Sequence, residues 1–247
     1  MKERTIAGLQ VRIAGGNDRE GGGTGPVVVL LHGFGAPGDD LVPLWRVLDV
    51  PEDTRFVFPA APLSLMMGFG ESRAWWMLDM ERLARERAQG NWEQLTKEVP
   101  AGLDRAREAV VELLGVIRED FRVDSSELLL GGFSQGAMLA CDVVLRTDDP
   151  FAGLVMMSGS LIARDEWAPL ACRRKGIPVF QSHGTDDPIL SPDVAKQLCD
   201  MLRHEGLSVD WHEFRGGHEI PMNVLANLGP FITGALSHPA NGSKRER

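Results

Sequence analysis

Short apolar runs, bounded by glycine, proline or charged residues, recur along the chain. The clearest is Pro-Val-Val-Val-Leu-Leu-His-Gly at residues 26–33, and such a run is typical of a parallel strand covered on both faces. Similar runs occupy residues 55–58, 127–130, 153–157 and 178–180. An alternating stretch at 209–214 predicts a strand nearer the sheet edge. With an N-terminal strand predicted at 5–13, the pattern indicates about seven strands.

Between these runs the apolar residues take up helical spacing. Residues 103–121 follow the i, i+3, i+4, i+7 pattern of an amphipathic helix. Residues 136–145 predict a buried helix, 192–204 an amphipathic one, and 222–236 the last helix. Strands that alternate with helices are typical of βαβ units. The chain is therefore predicted to be an α/β protein with a doubly wound, mostly parallel sheet flanked by helices.

No linker or internal repeat divides the chain, so we predict a single domain over residues 1–240 and a polar tail at 241–247. Two segments interrupt the alternation. Residues 15–25 form a Gly-rich loop that precedes a strand and lacks the GK[ST] ending of a phosphate-binding loop. Residues 62–92 form a long connection, first apolar and then charged. Connections of this length often bind ligands or act as lids.

Composition excludes several classes of protein. The 26 basic and 35 acidic residues give a net charge of −9, which argues against nucleic-acid binding. Cys141, Cys172 and Cys199 are too few and too widely spaced for a disulfide framework or a CxxC metal site, so we expect buried or half-buried thiols. Residues 1–10 lack the apolar core of a signal peptide, and no apolar run approaches the roughly 18 residues that span a bilayer. The expected location is cytoplasmic.

The most informative motif is Gly-Phe-Ser-Gln-Gly at residues 132–136, between a predicted strand and a predicted helix. In this context GxSxG is typical of the nucleophile elbow of α/β-hydrolases. Small residues on both sides let the backbones approach, and the Ser134 hydroxyl is presented near a helix N-terminus, where the dipole favours negative charge. A plain Gly-rich turn is the alternative. The strand–turn–helix context favours a nucleophile.

A serine hydroxyl is a weak nucleophile at neutral pH, so it needs a base and an orienting acid. In this fold the acid and then the histidine follow the nucleophile. Asp186 and Asp187 follow one predicted strand and His218 follows the last, at the strand ends where ligands bind in open α/β sheets. A polar turn and a structural histidine are the alternatives. Three other histidines fall on a predicted surface helix, within a strand and in the tail: His204, His212 and His238.

The oxyanion hole of such an enzyme is made by two backbone N–H groups. One belongs to Gln135, directly after the predicted nucleophile. The other comes from the loop after an early strand, here His-Gly-Phe-Gly at residues 32–35, where Phe34 is the predicted donor. The alternative interpretation of residues 32–35 is a tight turn that ends the strand, and the two interpretations are compatible.

Six ordered motifs resemble those of the phospholipase/carboxylesterase family, which includes acyl-protein thioesterases and small bacterial carboxylesterases. They are His-Gly-Phe-Gly at 32–35, Phe-Pro-Ala-Ala-Pro at 58–62, Arg-Ala-Trp-Trp at 73–76, the elbow at 132–136, His-Gly-Thr-Asp-Asp-Pro at 183–188 and Gly-His at 217–218. The resemblance covers roughly residues 26–230. It implies an α/β-hydrolase fold.

The resemblance also implies roles for individual residues. The acid of the family's HGxxDP pattern precedes the proline, which selects Asp187 over Asp186, and Phe34 and Gln135 supply the oxyanion hole. Residues 63–77 border the acyl pocket. The predicted substrate contacts there are Leu63, Leu65, Met66, Phe69, Trp75 and Trp76. The family uses no cofactor and commonly forms homodimers, so we expect no cofactor and no metal.

Three departures from the family pattern affect the predicted substrate entrance. Phe34 stands where the family usually has Leu. The family's aromatic motif commonly continues Trp-Tyr/Phe-Asp, whereas here Trp75-Trp76 is followed by Met77. Residues 81–89 are extra charged material.

The sequence therefore predicts a serine carboxylesterase that hydrolyses short- to medium-chain acyl or aromatic esters through an acyl-enzyme. Ser134, His218 and Asp187 are its predicted triad, and a small-molecule ester is its expected partner. The alternatives are an acyl thioesterase or lysophospholipase with the same chemistry, and a catalytically inactive ligand-binding protein of this fold. The apolar connection predicts an acyl pocket, with core packing or a dimer interface as an equally weighted alternative.

Overall fold

The computed structural model describes residues 1–65 and 70–237. The strands are β1 (Lys2–Ile6), β2 (Leu9–Gly15), β3 (Val27–Leu31), β4 (Arg55–Pro59), β5 (Leu63–Leu65), β6 (Ser72–Ala74), β7 (Leu128–Phe133), β8 (Gly153–Met157), β9 (Pro178–Gly184) and β10 (Ser208–Phe214). The helices are α1 (Leu44–Val47), α2 (Met80–Gln89), α3 (Trp92–Lys97), α4 (Leu103–Phe121), α5 (Gln135–Arg146), α6 (Arg164–Ala171), α7 (Pro192–His204) and α8 (Met222–Ser237). The predicted tail at 241–247 lies outside the described residues. Of the three thiols expected to be buried or half-buried, Cys141 and Cys199 are buried, whereas Cys172, directly after α6, is exposed.

Eight strands form one sheet in the order β1-β2-β4-β3-β7-β8-β9-β10. Within this sheet β2 runs antiparallel to both of its neighbours, β1 and β4, and the remaining neighbouring pairs are parallel. The mostly parallel sheet flanked by helices is confirmed. It has one strand more than the sequence indicated because residues 5–13 belong to a hairpin rather than to a single strand. Ala7 and Gly8 turn the chain there with φ of 48° and 75°, the left-handed conformation that two-residue hairpin turns use.

The continuous apolar run of β3 is explained by helices on both faces of the sheet. Val27, Val29 and Leu31 pack into the cluster formed with α4, α5, α6 and α7. Val28 and Leu30 pack into the opposite cluster with α1 and α8. Since successive strand side chains point to opposite faces, a strand covered on both sides needs apolar residues at every position.

The long connection after β4 is partly structured. Strands β5 and β6 form an antiparallel ribbon in which Leu63 pairs with Ala74, and the charged part folds into α2 and α3. Arg82 of α2 donates to both carboxylate oxygens of Glu98, at 2.9 and 2.6 Å. This two-point contact ties α2 to the chain just after α3.

Helix α5, which follows the elbow, is anchored by a buried carboxylate. Asp142 is 0% exposed and accepts hydrogen bonds from Arg107 (2.7 Å), Arg146 (2.7 Å) and the indole N–H of Trp167 (2.8 Å). A buried charge is tolerated only when it is paired and hydrogen-bonded. Asp142 thereby joins α5 to α4 and α6 and limits its movement relative to the sheet.

The start of α5 also lies very close to β3. A Cβ built on Gly136 would come within 2.0 Å of the Leu31 carbonyl oxygen, and one built on Gly132 within 2.5 Å of the same atom. Both contacts are with backbone, which cannot rotate away as a flexible side chain can. Only glycine lets the strand–turn–helix unit pack this closely against its neighbour.

We expect Gly136→Ala to lower the free energy of unfolding by roughly 3 kcal/mol or more, because the added methyl must push β3 and α5 apart. Gly115→Ala is a matched control, since Gly115 lies within α4 with nothing within 4 Å of its built Cβ. The control should gain about 1 kcal/mol from helix propensity. Denaturant unfolding measures both, and equal stability in the two variants would contradict the packing argument.

Candidate active site

Ser134 lies at the turn from β7 into α5 with φ 55° and ψ −118°, a region that residues other than glycine rarely adopt. Its N–H donates to Met157 O of β8 at 2.8 Å. Its carbonyl accepts from the N–H groups of Ala137 and Met138, at 3.0 and 3.2 Å. The turn is therefore held from both sides, and the predicted elbow has the strained backbone that the motif implies.

The imidazole of His218 lies between Ser134 and Asp187. Its Nε2 is 2.8 Å from Ser134 Oγ, and its Nδ1 is 2.7 Å from Asp187 Oδ2. An ionised carboxylate can only accept, so Nδ1 carries the proton and Nε2 is left to accept from the serine hydroxyl. The Phe133 ring packs against the imidazole with centroids 4.8 Å apart and restricts its rotation.

Asp187 accepts at both carboxylate oxygens. Oδ1 accepts from the backbone N–H groups of Ile189 (2.8 Å) and Leu190 (2.9 Å), and Oδ2 faces His218. Burial by itself raises the pKa of this carboxyl, but hydrogen bonds from His183, His218 and the two amides outweigh it and hold the pKa well below its usual range. Asp187 is thus ionised at neutral pH, as an orienting acid must be.

The structure separates the two candidate aspartates. Asp186 is exposed and its carboxylate accepts from Thr185 Oγ1 at 3.3 Å, whereas Asp187 is buried against the imidazole.

The other histidines lie elsewhere. His204 is exposed at the end of α7, and His212 stacks on Phe180 with ring centroids 4.5 Å apart. His238 lies outside the described residues. His218, the predicted base, is the histidine of this group that the structure brings to Ser134.

His183 is a part of the site that the sequence reasoning missed. Its ring is fully buried, and Nε2 lies 3.3 Å from Asp187 Oδ2 and 3.2 Å from Leu190 O. Both of these oxygens can only accept, so Nε2 carries the proton and a second imidazole N–H lies beside the carboxylate of Asp187. The available signal was the four-residue spacing between His183 and Asp187 within the HGxxDP motif.

The two predicted oxyanion-hole amides flank Ser134. Gln135 is the first residue of α5, so its N–H has no partner within the helix. Phe34 is half-buried and follows Gly33, whose built Cβ would lie 3.2 Å from Ser134 Cβ. In the part of the chain that the structure describes, neither N–H has a protein acceptor. Both remain available to a substrate oxygen.

His32 organises the loop that carries Phe34. Its Nδ1 is 2.8 Å from Gly33 O, and its Nε2 accepts from Ala61 N–H at 2.9 Å. Burial lowers the pKa of His32 to about 4, more than the hydrogen bond to Gly33 raises it. The ring is therefore neutral at physiological pH, as its acceptor role at Nε2 requires.

The predicted substrate contacts have different positions. Leu63 is 39% exposed and Leu65 is 8% exposed on the β5–β6 ribbon, whereas Trp75 and Trp76 are 2% and 1% exposed. The two indoles lie in the core behind the predicted oxyanion hole, a supporting position rather than a surface that a substrate reaches directly. Apolar character alone does not distinguish an acyl pocket from core packing. Met66 and Phe69 lie outside the described residues.

Two further properties concern the described part of the chain alone. Within residues 1–65 and 70–237, no helix combines the length and apolar character that a membrane crossing needs. In the same residues, no group of three or more His, Cys, Asp or Glu side chains is arranged to hold a metal ion.

The fold and the Ser-His-Asp arrangement are those of an α/β-hydrolase. The family model described as Phospholipase/Carboxylesterase matches residues 20–236, and the chain belongs to this family of hydrolases. Acyl-protein thioesterase 1 of Candida albicans is 27% identical over 220 residues, covering 83% of this chain and 90% of its own. Acyl-protein thioesterase 1 of Emericella nidulans is 28% identical over 187 residues, covering 73% and 77%.

Solved structures resemble the chain over most of its length. Esterase PE8 has a TM-score of 0.75 and 26% identity, covering 92% of this chain and 99% of its own. The Bacillus cereus carboxylesterase has a TM-score of 0.67 and 21% identity, covering 92% and 94%. At that identity the second likeness supports the fold alone.

We expect His32 to make stability depend on pH between about 6.5 and 4. The unfolded chain takes up a proton at His32 below about 6.5, whereas the native ring stays neutral down to about 4. The stability from the neutral ring is therefore fully present above about 6.5. On acidification the native state loses about 3 kcal/mol relative to the unfolded state.

His32→Gln keeps an acceptor for Ala61 but cannot titrate. We expect it to be less stable than the wild type at pH 7, with the difference shrinking by about 3 kcal/mol as the pH falls to 4. Urea unfolding at a series of pH values measures this difference, in which the other histidines cancel. A difference that stays constant with pH would show that the native ring takes up its proton normally.

Proposed function

We propose that the protein is a serine carboxylesterase that hydrolyses short- to medium-chain acyl or aromatic esters through an acyl-enzyme intermediate. The observation that carries this proposal is the unbroken chain of hydrogen bonds from Ser134 Oγ through His218 to Asp187, at 2.8 and 2.7 Å. Membership of the phospholipase/carboxylesterase family supports the same reaction class.

In the proposed acylation step, Ser134 Oγ attacks the ester carbonyl while His218 Nε2 takes the hydroxyl proton. The carbonyl π electrons move to oxygen, and the amides of Phe34 and Gln135 stabilise the oxyanion. The tetrahedral intermediate collapses as the bond to the alcohol oxygen breaks. His218 returns the proton to that leaving oxygen, which leaves an acyl-Ser134 ester and a free alcohol.

In the proposed deacylation step, His218 takes a proton from water as the water oxygen attacks the acyl carbon. The second tetrahedral intermediate collapses with Ser134 Oγ as the leaving group, and His218 returns the proton to it. The products are a carboxylic acid and the regenerated hydroxyl. Asp187, ionised throughout, holds Nδ1–H and stabilises the transient imidazolium.

Exposed apolar side chains beside the triad support an uncharged substrate. Ile189, two residues after Asp187, is 47% exposed, and Met222, four residues after His218, is 70% exposed. Leu63, also exposed, is proposed with Leu65 to border the substrate entrance. An apolar acyl chain or aromatic alcohol loses water contact against such surfaces, which favours its binding.

A thioesterase is the second candidate, because the curated relatives are named acyl-protein thioesterase 1. A lysophospholipase would use the same parts, since each reaction passes through an acyl-serine. A catalytically inactive binding protein is disfavoured by the hydrogen-bonded triad. Kinetic comparison of matched substrates distinguishes among the hydrolases.

We expect Ser134→Ala to lower kcat on p-nitrophenyl butyrate by about 10³-fold or more, because the acyl-enzyme cannot form. A fluorophosphonate probe should add its mass to the wild type and not to this variant.

Ser158 is the alternative nucleophile to test. It ends the neighbouring strand with φ 49°, but its Oγ lies 3.4 Å from Glu219 O instead of a base. Labelling that survives in Ser134→Ala and disappears in Ser158→Ala would overturn the assignment.

We expect kcat/KM on p-nitrophenyl esters to peak between acetyl and octanoyl chains and to fall for palmitoyl, as the proposed short- to medium-chain substrate implies. A thioester with the same acyl chain should be hydrolysed with a lower kcat/KM than the oxygen ester. Ser134→Ala serves as the blank for each substrate. A preference for the thioester would replace the carboxylesterase assignment with thioesterase, and inactivity of the folded protein on every ester would contradict both.

A further inference from the structure

The segment from Arg73 to Trp76 contacts the loop that carries Phe34. Gly35 N–H donates to Arg73 O at 2.8 Å, and Arg73 N–H donates to Ala36 O at 2.9 Å. The indole N–H of Trp75 donates to His32 O at 3.0 Å. Three backbone groups around Phe34 are thus held by one short piece of chain.

The same segment holds the other half of the predicted oxyanion hole through the side chain of Gln135. This side chain is 0% exposed. Its Oε1 accepts from Trp75 N–H at 2.9 Å, and its Nε2 donates to Trp76 O at 2.9 Å. Because the first partner can only donate and the second can only accept, the orientation of the amide is determined by its partners.

The direction of the Phe34 N–H is set by the neighbouring peptide group. In a trans peptide the C=O of Gly33 and the N–H of Phe34 point in opposite directions. Gly33 O is held by His32 Nδ1 at 2.8 Å, and the Nε2 side of the same ring is held by Ala61. Arg73 Nη1 in turn donates to Ala61 O at 3.0 Å. The loop side of the hole therefore also depends on Arg73.

We propose that the side chain of Gln135 is a positioning group for the oxyanion hole. By bonding Trp75 and Trp76 it fixes its own backbone N–H relative to the segment that also holds the Phe34 loop, and so sets the spacing of the two donors. This inference rests on the proposed esterase function. Oxyanion donors are effective only within about 2.7–3.1 Å of the developing charge, so a small displacement of either one weakens transition-state binding.

The first test is Gln135→Leu, which keeps a side chain of similar size and leaves the backbone N–H in place. Stabilisation that arises only in the transition state appears in kcat rather than in KM. We expect kcat on p-nitrophenyl butyrate to fall about 10- to 100-fold, with KM changed by less than about threefold. Phenylboronic acid, which forms a tetrahedral adduct with the serine, should bind more weakly by a similar factor.

Gln181→Leu is the matched control for loss of a buried amide. Gln181 is also 0% exposed, and its Nε2 donates to Ala195 O at 2.8 Å, away from the hole. Both leucine variants should lose thermal stability, but kcat and boronic acid affinity should stay within about twofold of wild type in Gln181→Leu. If both variants lose kcat in proportion to stability, or if Gln135→Leu keeps wild-type kcat, the positioning role is overturned.

Gln135→Glu provides a second test that does not depend on packing. A protonated carboxyl group can accept from Trp75 N–H and donate to Trp76 O as the amide does, whereas a carboxylate places a second acceptor against Trp76 O. The ratio of variant to wild-type kcat should therefore rise as the pH falls from 8 to 5.5. A ratio that stays equally low at every pH would contradict the proposal, because the neutral acid would then fail to restore the contact.

The failure of this inference is distinguishable from failure of the proposed function. If Ser134→Ala remains active, the nucleophile is wrong and the hole has no assigned substrate. If Ser134→Ala is inactive while Gln135→Leu retains full kcat and boronic acid affinity, the esterase assignment stands and the positioning role is rejected.

Discussion

The backbone of Ser134 is the constraint on which the rest of the site depends. Its φ of 55° and ψ of −118° cost on the order of 1–3 kcal/mol and persist only where the surroundings enforce them. The enforcement comes from the hydrogen bond to Met157 O in β8 and from glycines that let α5 pack directly on β3. Because the sheet holds the turn from two sides, the hydroxyl is presented at the carboxyl ends of the strands, where the base can reach it.

Parallel strands explain how residues far apart in the sequence meet at this edge. The loops after β3, β7, β9 and β10 all leave the same edge, and they carry Phe34, Ser134, Asp187 and His218 respectively.

The charge of Asp187 is controlled by its burial and by its hydrogen-bond donors. A carboxylate removed from water is costly unless donors surround it, and Asp187 has backbone amides on one oxygen and imidazoles on the other. The acid is thereby held ionised and the imidazole is oriented towards serine.

Sequence patterns predicted the parts of the fold that one local rule controls. The apolar run of β3 and the strand–turn–helix setting of the elbow are of this kind, and the structure has both. The Ala7-Gly8 turn was missed because Ala-Gly is not one of the Asn-Gly or Asp-Gly pairs that mark a two-residue hairpin turn most strongly. The burial of Trp75 could not be predicted, because apolar residues line pockets and cores alike and only the path of the β5–β6 ribbon decides between them. The hydrogen bonds of the Gln135 side chain could not be predicted from the sequence either, because their partners lie about 60 residues away along the chain.

The departures from the family pattern can be placed relative to this scaffold. Trp76 is 1% exposed, yet Met77 directly after it is 62% exposed, so the chain leaves the core between these two residues. Up to Trp76, the backbone is held by hydrogen bonds to the Phe34 loop and to the Gln135 side chain, so a change that moves this backbone disturbs both proposed oxyanion donors. The exposed side chain of Met77 can be replaced without moving these hydrogen bonds. The departure at Met77 therefore lies outside the hydrogen-bonded scaffold, whereas the departure at Phe34 lies within the loop that this scaffold holds.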